Sequence, residues 1–190
     1  MSGNPSKSKM SRETLLPKLA AHVLAKGLGA ASLRPLAEAA GTSDRMLIYH
    51  FGNKRKLVED VLAHIAQTYT DVLDEAVGSE RAATRQELVA RNLAFIRAPE
   101  TQPFQALWWE IVAGAARGVP GHRETAERVM TKLLDWLETQ MPADDPDPRG
   151  GARYLLTLIE GAQMLSMVGH TRTAREGLLA SDLAADRTPD

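Results

Sequence analysis

Apolar residues recur along most of the chain at intervals of three and four positions, the spacing that gathers them on one face of an α-helix. Strict alternation of apolar and polar residues, which is typical of a half-buried strand, never lasts long enough to predict one. The pattern therefore predicts an all-α protein of about nine helices. After the first three, a long helix is expected from Lys54 to Gly78, and others at about 82–98, 102–117, 121–140, 149–169 and 173–185.

The first predicted helix ends at Gly27 and carries a proline near its start. Proline past the first helical turn removes a backbone hydrogen bond, so either the helix is kinked at Pro17 or its regular part begins later. We expect the later start, near Leu16. The apolar face expected for this helix is Leu16, Leu19, Ala20, Val23 and Leu24.

Two short helices are predicted to follow within twenty residues. Ser32 can cap the second helix through its hydroxyl, and Gly41 permits the left-handed backbone that ends it. Ser43 is placed to cap a third helix at about 44–50, with Leu47 and Phe51 four residues apart as its inward anchors. Two short helices that meet at so sharp a turn predict a helix-turn-helix.

Composition and charge narrow the class of protein. The chain has 190 residues, 44% of them hydrophobic, and a net charge of −1. That charge is uneven, since residues 1–60 carry a net +5 and residues 61–190 a net −6. A basic head on an acidic body indicates that only the head meets a polyanion.

The sequence also predicts where the protein works. It has no cysteine, which fits a reducing compartment, and its N-terminus lacks the apolar core of a signal peptide. No run approaches the roughly 20 apolar residues of a membrane-spanning helix. We expect a cytoplasmic protein that uses no cofactor and no metal.

Residues 11–60 resemble the DNA-binding domain of the TetR family of bacterial transcriptional regulators. The resemblance rests on the order of motifs along the chain, and these are Gly27, Ser32, Leu36-Ala37, Ala40-Gly41-Thr42-Ser43 and His50-Phe51-Gly52-Asn53-Lys54. Two positions depart from the family pattern, because Ile48 stands where the family has tyrosine and Arg45 replaces a common glycine. The resemblance implies a flexible basic arm at 1–10, a helix-turn-helix domain at 11–56 and an effector-binding and dimerisation domain at 57–190.

A recognition helix of this kind enters the major groove of DNA, which is about 12 Å wide. We expect base contacts from the outer face of the third helix, and the candidates are Asp44, Arg45, Met46 and Tyr49. Arg45 can donate two hydrogen bonds to guanine, whereas Asp44 has the alternative role of a favourable charge in the first helical turn. Contacts to the sugar-phosphate backbone are expected from four polar side chains, and these are Ser32, Ser43, His50 and Lys54.

Selective DNA binding by one helix-turn-helix calls for a second copy, so we expect a homodimer on a palindromic operator. The segment at 149–169 is apolar on nearly every side, which favours an interface, although burial inside the subunit is the alternative. The expected interface residues are Leu155, Leu158, Ala162, Leu165 and Gly169.

The resemblance further implies a small-molecule effector that binds the body and releases the operator. Large apolar side chains and one carboxylate form the expected lining, and they are Phe104, Leu107, Trp108, Glu110, Ile111, Met130, Met164 and Met167. Ordinary core packing is the alternative for each of them. On this reading the protein is a transcriptional repressor.

Functions other than repression are alternatives for the same sequence. An activator of the same fold stays open, and so does a helical enzyme with an acid-base or metal site in the body. No HExxH, GxSxG or glycine-rich phosphate loop occurs, and the carboxylates of "DDPDP" lie in a proline-rich segment that we expect to be a solvated connector. A general DNA-packaging protein fits poorly with the acidic body. We therefore expect no enzymatic activity.

Overall fold

The computed structural model describes residues 11–78 and 80–180, and all the regular structure in these ranges is helical. This confirms the predicted all-α class. The nine α-helices are α1 Arg12–Lys26, α2 Leu33–Ala40, α3 Asp44–Phe51, α4 Lys54–Val77, α5 Arg85–Arg97, α6 Gln102–Ala116, α7 His122–Gln140, α8 Pro148–Met167 and α9 Thr171–Ala180. Short 3-10 turns occupy Leu28–Ala30 and Pro99–Thr101. The predicted arm at 1–10 and the last predicted helical turn after residue 180 lie outside the described residues.

Helix α1 starts earlier than the sequence pattern predicts. Ser11 and Thr14 form a reciprocal capping box, with the Ser11 hydroxyl accepting from the Thr14 amide, and the helix continues through Pro17. The expected start near Leu16 is therefore wrong. The cap and the burial of Leu15, which has 2% of its surface exposed, compensate for the hydrogen bond that Pro17 cannot donate.

The helices divide into two compact units. The first contains residues up to Thr68 together with Ala106–Thr125, and the second contains Tyr69–Gln105 and the residues from Ala126 onward. This grouping follows packing within the chain. The functional division expected at 11–56 and 57–190 stays a prediction.

In the first unit, α1 packs on α2 and α2 packs on α3. Asp60 of α4 accepts a hydrogen bond from the Arg12 guanidinium of α1, and that guanidinium also lies 5.4 Å from the centre of the Phe51 ring at the end of α3. One arginine thus connects the start of α1 with the end of α3 and the first turns of α4.

The second unit is organised around α8, which packs against α5 and α9. Its core is apolar and includes Leu73, Leu88, Phe95, Trp136, Leu137, Met141, Leu155, Ile159 and Leu178. Across the part of the chain that is described, no helix is both long and apolar enough to span a bilayer.

The proline-rich segment before α8 is largely exposed, as its composition predicts, but one of its carboxylates is buried. Arg85 at the start of α5 donates two hydrogen bonds of 2.7 Å to the Asp145 carboxylate, whose side chain is 3% exposed. Asp147 caps α8 by accepting from the Gly150 amide at 2.9 Å. The segment therefore joins α5 to the start of α8.

Candidate nucleic-acid interface

The turn between α2 and α3 sets the direction of the helix that we expect to read DNA. Gly41 has a left-handed backbone, with φ +67° and ψ +38°, and the Thr42 amide donates to the Ala37 carbonyl at 2.9 Å. The Ser43 hydroxyl then accepts from the Met46 amide at 3.3 Å and starts α3. The turn and the cap agree with the sequence prediction, and α3 follows α2 after three residues.

Helix α3 has two opposite faces. Leu47 and Phe51, the predicted anchors, are 0% and 3% exposed and hold the helix to the first unit. Arg45 and Tyr49 are four residues apart on the outer face, and the Tyr49 side chain is 78% exposed. Asp44 is also exposed, whereas Met46 is half-buried. Side chains of the types that read base edges therefore project from one helix, opposite its anchors.

Two hydroxyl groups lie at helix starts next to this face. Ser32 occupies the N-cap position of α2, but its hydroxyl makes no capping hydrogen bond, so the predicted side-chain cap is wrong. The Ser43 hydroxyl oxygen accepts the capping hydrogen bond from the Met46 amide, which leaves its O–H group available as a donor. Both side chains could therefore donate to an anion.

The cations at the start of α4 have different surroundings. Lys56 donates to the Asp60 carboxylate at 2.7 Å, and Arg55 pairs with Glu59 at 3.8 Å. Lys54 is exposed and forms no salt bridge with any carboxylate in the described ranges. Its charge at a helix N-terminus is unfavourable for the helix dipole, so an external anion is the natural partner for this lysine.

His50 is less accessible than its motif position predicts. Its ring packs edge-on against Tyr49, with centroids 5.2 Å apart. Its Nε2 atom is buried without a hydrogen-bond partner among the described residues. A phosphate contact by His50 stays a prediction, and it requires either Nδ1 or a ring movement that exposes Nε2.

The residues expected to line an effector pocket fall in both units. Leu107, Trp108, Glu110 and Ile111 belong to the first, whereas Phe104, Met130, Met164 and Met167 belong to the second. Leu107 and Ile111 are buried, and Met164 and Met167 are exposed. The effector role of all eight stays a prediction.

An aromatic group around Phe104 was missed by the sequence reasoning. The Tyr69 ring lies 5.4 Å from both the Phe95 and the Phe104 ring centres, and its hydroxyl accepts from Gln105 at 3.4 Å. Burial raises the pKa of Tyr69 to about 12. The pattern of apolar residues along the chain gives no sign of this polar contact, which only the neighbours of Tyr69 in space reveal.

The expected dimer-interface residues differ in their surroundings. Leu155 and Ala162 are enclosed by the core of their own unit, and Leu158 and Leu165 are half-buried against that core. Gly169 is exposed. The apolar residues of α8 that remain open to solvent are instead Tyr154, Met164, Met167 and, at its C-cap, Val168.

In the ranges that the structure describes, no three His, Asp or Glu side chains lie close enough together to hold one metal ion. The chemistry that these residues do offer is hydrogen bonding and charge on one face of α3 and at the start of α4. The helical fold and the helix-turn-helix are together typical of a DNA-binding transcriptional regulator.

Comparison with known proteins shows what this region is similar to. Residues 18–61 match the sequence model of bacterial regulatory proteins of the tetR family. This match extends from α1 through α3 into α4 and includes the helix-turn-helix. No curated protein sequence matches the chain.

Solved structures share the fold over most of the chain. A Rhodococcus sp. protein described as a TetR-family transcriptional regulator is similar with a TM-score of 0.67 and 22% identity, over 92% of this chain and 98% of that one. A transcriptional regulator from Streptomyces coelicolor A3(2) has a TM-score of 0.64 and 28% identity, over 80% and 84%. The multidrug binding protein EbrR, complexed with imidazole, has a TM-score of 0.61 and 18% identity, over 98% and 100%.

Proposed function

We propose that this protein is a regulator of the TetR family, a cytoplasmic, non-enzymatic repressor that binds a palindromic operator as a homodimer and is released by a small-molecule effector. The main observation behind the proposal is that Leu47 is buried on one face of α3 while Tyr49 is exposed on the opposite face. A helix anchored on one side and projecting polar and aromatic groups on the other is suited to the major groove.

Roles within the interface follow from side-chain chemistry. Arg45 projects next to Tyr49 and can donate two hydrogen bonds to guanine, so we assign it base recognition together with Asp44, Met46 and Tyr49. Ser32, Ser43, His50 and Lys54 are assigned to phosphate, where they fix register without reading sequence.

Dimerisation is supported by the open face of α8. Tyr154, Gly161, Met164 and Val168 follow one another at spacings of seven, three and four, which places them on one side of the helix. A Cβ added at Gly161 would meet no atom within 4 Å, so this side is open to a close partner. A second copy seated here would cover these apolar groups and present two α3 helices to half-sites about 34–36 Å apart.

Effector binding is supported by the likeness to EbrR, whose structure contains imidazole. An effector shifts the population towards release only if it binds the released arrangement more tightly than the operator-bound one. A tenfold preference corresponds to about 1.4 kcal/mol.

The deciding experiment is selection of bound fragments from genomic DNA with the purified full-length protein, followed by a reporter assay on the recovered promoter. We expect one short palindrome to be enriched and the reporter to rise when the protein is removed. Uniform weak binding to every sequence contradicts the proposal, and a reporter that falls identifies an activator. Arg45→Ala should relax preference at one base pair of each half-site, whereas Lys54→Ala should weaken all sites alike.

A further inference from the structure

The connection between α1 and α2 includes a backbone donor that its own turn leaves unpaired. Gly27 ends α1 with φ +76° and ψ 176°, and the chain then forms the 3-10 turn Leu28–Ala30 before the N-cap of α2. The amide at the start of such a turn has no acceptor within it. The geometry of this turn determines where α2, and therefore α3, begins.

The missing acceptor comes from α6, 82 residues further along the chain. One carboxylate oxygen of Glu110, Oε2, accepts from the Leu28 amide at 2.8 Å. Both residues belong to the first compact unit. A hydrogen bond to an ionised acceptor is stronger than one between neutral groups, and Glu110 forms no salt bridge among the described residues that would compete for its charge.

Gly27 has no side chain in the space that the Glu110 carboxylate occupies. A Cβ atom built on Gly27 would lie 2.4 Å from Oε1 of Glu110, so any side chain here would displace the carboxylate. The positive φ independently favours glycine at this position. Gly27 thus ends α1 and also leaves space for Glu110 beside the Leu28 amide.

The segment of α6 that carries Glu110 is itself held within the first unit. Leu107 and Ile111, on either side of Glu110 along the helix, are buried. Gly114, one turn further on, lies against the His122 ring, which a Cβ at Gly114 would meet at 2.1 Å. The Glu110 carboxylate therefore extends from a fixed part of the helix.

We propose that Glu110 is a positioning residue for DNA binding: from α6 it holds the turn between α1 and α2, and so fixes where the recognition helix starts. This inference rests on the proposed DNA-binding function. It also gives the carboxylate a role in the effector-free protein that differs from contact with an effector.

The first test follows amide hydrogen exchange of the full-length protein by NMR. In Glu110→Ala the Leu28 amide should exchange at least several-fold faster than in the wild type, because its acceptor is gone. Glu110→Gln keeps a carbonyl oxygen in the same place and should restore most of the protection. Glu124→Ala, which removes an exposed carboxylate from the same unit, serves as the matched control and should leave Leu28 unchanged.

The second test measures operator affinity of the same variants without effector, using a fluorescent fragment recovered in the genomic selection. We expect Glu110→Ala to weaken binding about three- to tenfold, the size of an ordinary net hydrogen bond, because this bond is exposed to solvent. Glu110→Gln should restore most of the affinity. Unchanged Leu28 exchange in Glu110→Ala overturns the contact. Faster exchange with unchanged affinity overturns the positioning role, while a wild type that prefers no sequence refutes the proposed function itself.

Discussion

Lys54→Ala is expected to weaken binding to every DNA sequence by a similar factor, whereas Lys56→Ala is not, although the two lysines are only two residues apart. Lys56 donates to Asp60 at 2.7 Å, so its ammonium group is already engaged by a carboxylate within the protein. Lys54 has no such partner among the described carboxylates, and its side chain projects from the first turn of α4. Lys54 is therefore the lysine that should release a counterion from DNA.

The magnitude follows from counterion release. Each phosphate neutralised contributes about −0.9 to the slope of log affinity against log salt concentration. A dimer places two Lys54 side chains on the operator, so Lys54→Ala should make the slope shallower by about 1.8. Between about 50 and about 200 mM salt, the wild type should consequently lose roughly tenfold more affinity than the variant.

Fluorescence anisotropy of a labelled operator and of an unrelated duplex, each at four salt concentrations, measures this difference. Lys56→Ala is the matched control, because it removes the same charge from the same helix while Arg12 still pairs with Asp60. Equal slopes for the wild type and Lys54→Ala, or equal slope changes in the two variants, would refute the reasoning. Urea unfolding should show that Lys54→Ala is no less stable than the wild type, since it removes a cation from a helix N-terminus.

Three further predictions concern stability and assembly. Leu47→Ala, at a fully buried site, should lower the free energy of unfolding by about 2–5 kcal/mol in urea unfolding. Tyr49→Ala, at an exposed site, should change that free energy by less than about 0.5 kcal/mol but weaken operator binding in fluorescence anisotropy. Arg85→Ala leaves the Asp145 carboxylate buried without its guanidinium and should cost about 2–3 kcal/mol near neutral pH, less than for a fully buried pair because Arg85 is 30% exposed. The Arg85 hydrogen bonds lower the pKa of Asp145 in the folded protein. The stability that Arg85 contributes is therefore present above the unfolded-state pKa of about 3.9 and should be lost as the pH falls through the lowered folded value. A stability difference between wild type and Arg85→Ala that stays constant down to acid pH would contradict this. Met167→Glu puts a charge on the 56% exposed apolar end of α8 and should convert a dimer to monomers in sedimentation equilibrium, while an unchanged mass argues against this face.

The helix-turn-helix could be predicted because the interactions that specify it are local. Gly41 ends α2 and Ser43 starts α3 through backbone geometry and hydrogen bonds that span three or four residues. Leu47 and Phe51 share a face for the same reason. Pro17 shows the limit of such rules, since α1 begins at Arg12 and continues through the proline, with the Ser11 cap and the buried Leu15 on its N-terminal side.

Choices among equivalent residues required the tertiary structure. Nothing local makes Leu155 more buried than Tyr154, because burial depends on which other helix lies opposite. The same holds for the buried side chain of Asp145, whose partner Arg85 lies 60 residues away. Lys56, by contrast, pairs with Asp60 four residues further along the same helix, which is a local contact.

The sequence by itself determined the helical pattern and the basic helix-turn-helix with its Ser43 cap, since those depend on backbone propensity and on neighbours within one or two turns. The tertiary structure decided that Arg85 pairs with Asp145, which apolar face stays open and that Glu110 reaches the Leu28 amide across 82 residues. Such pairings form only when distant segments are packed together, and their distances and burial then decide which groups remain available to DNA.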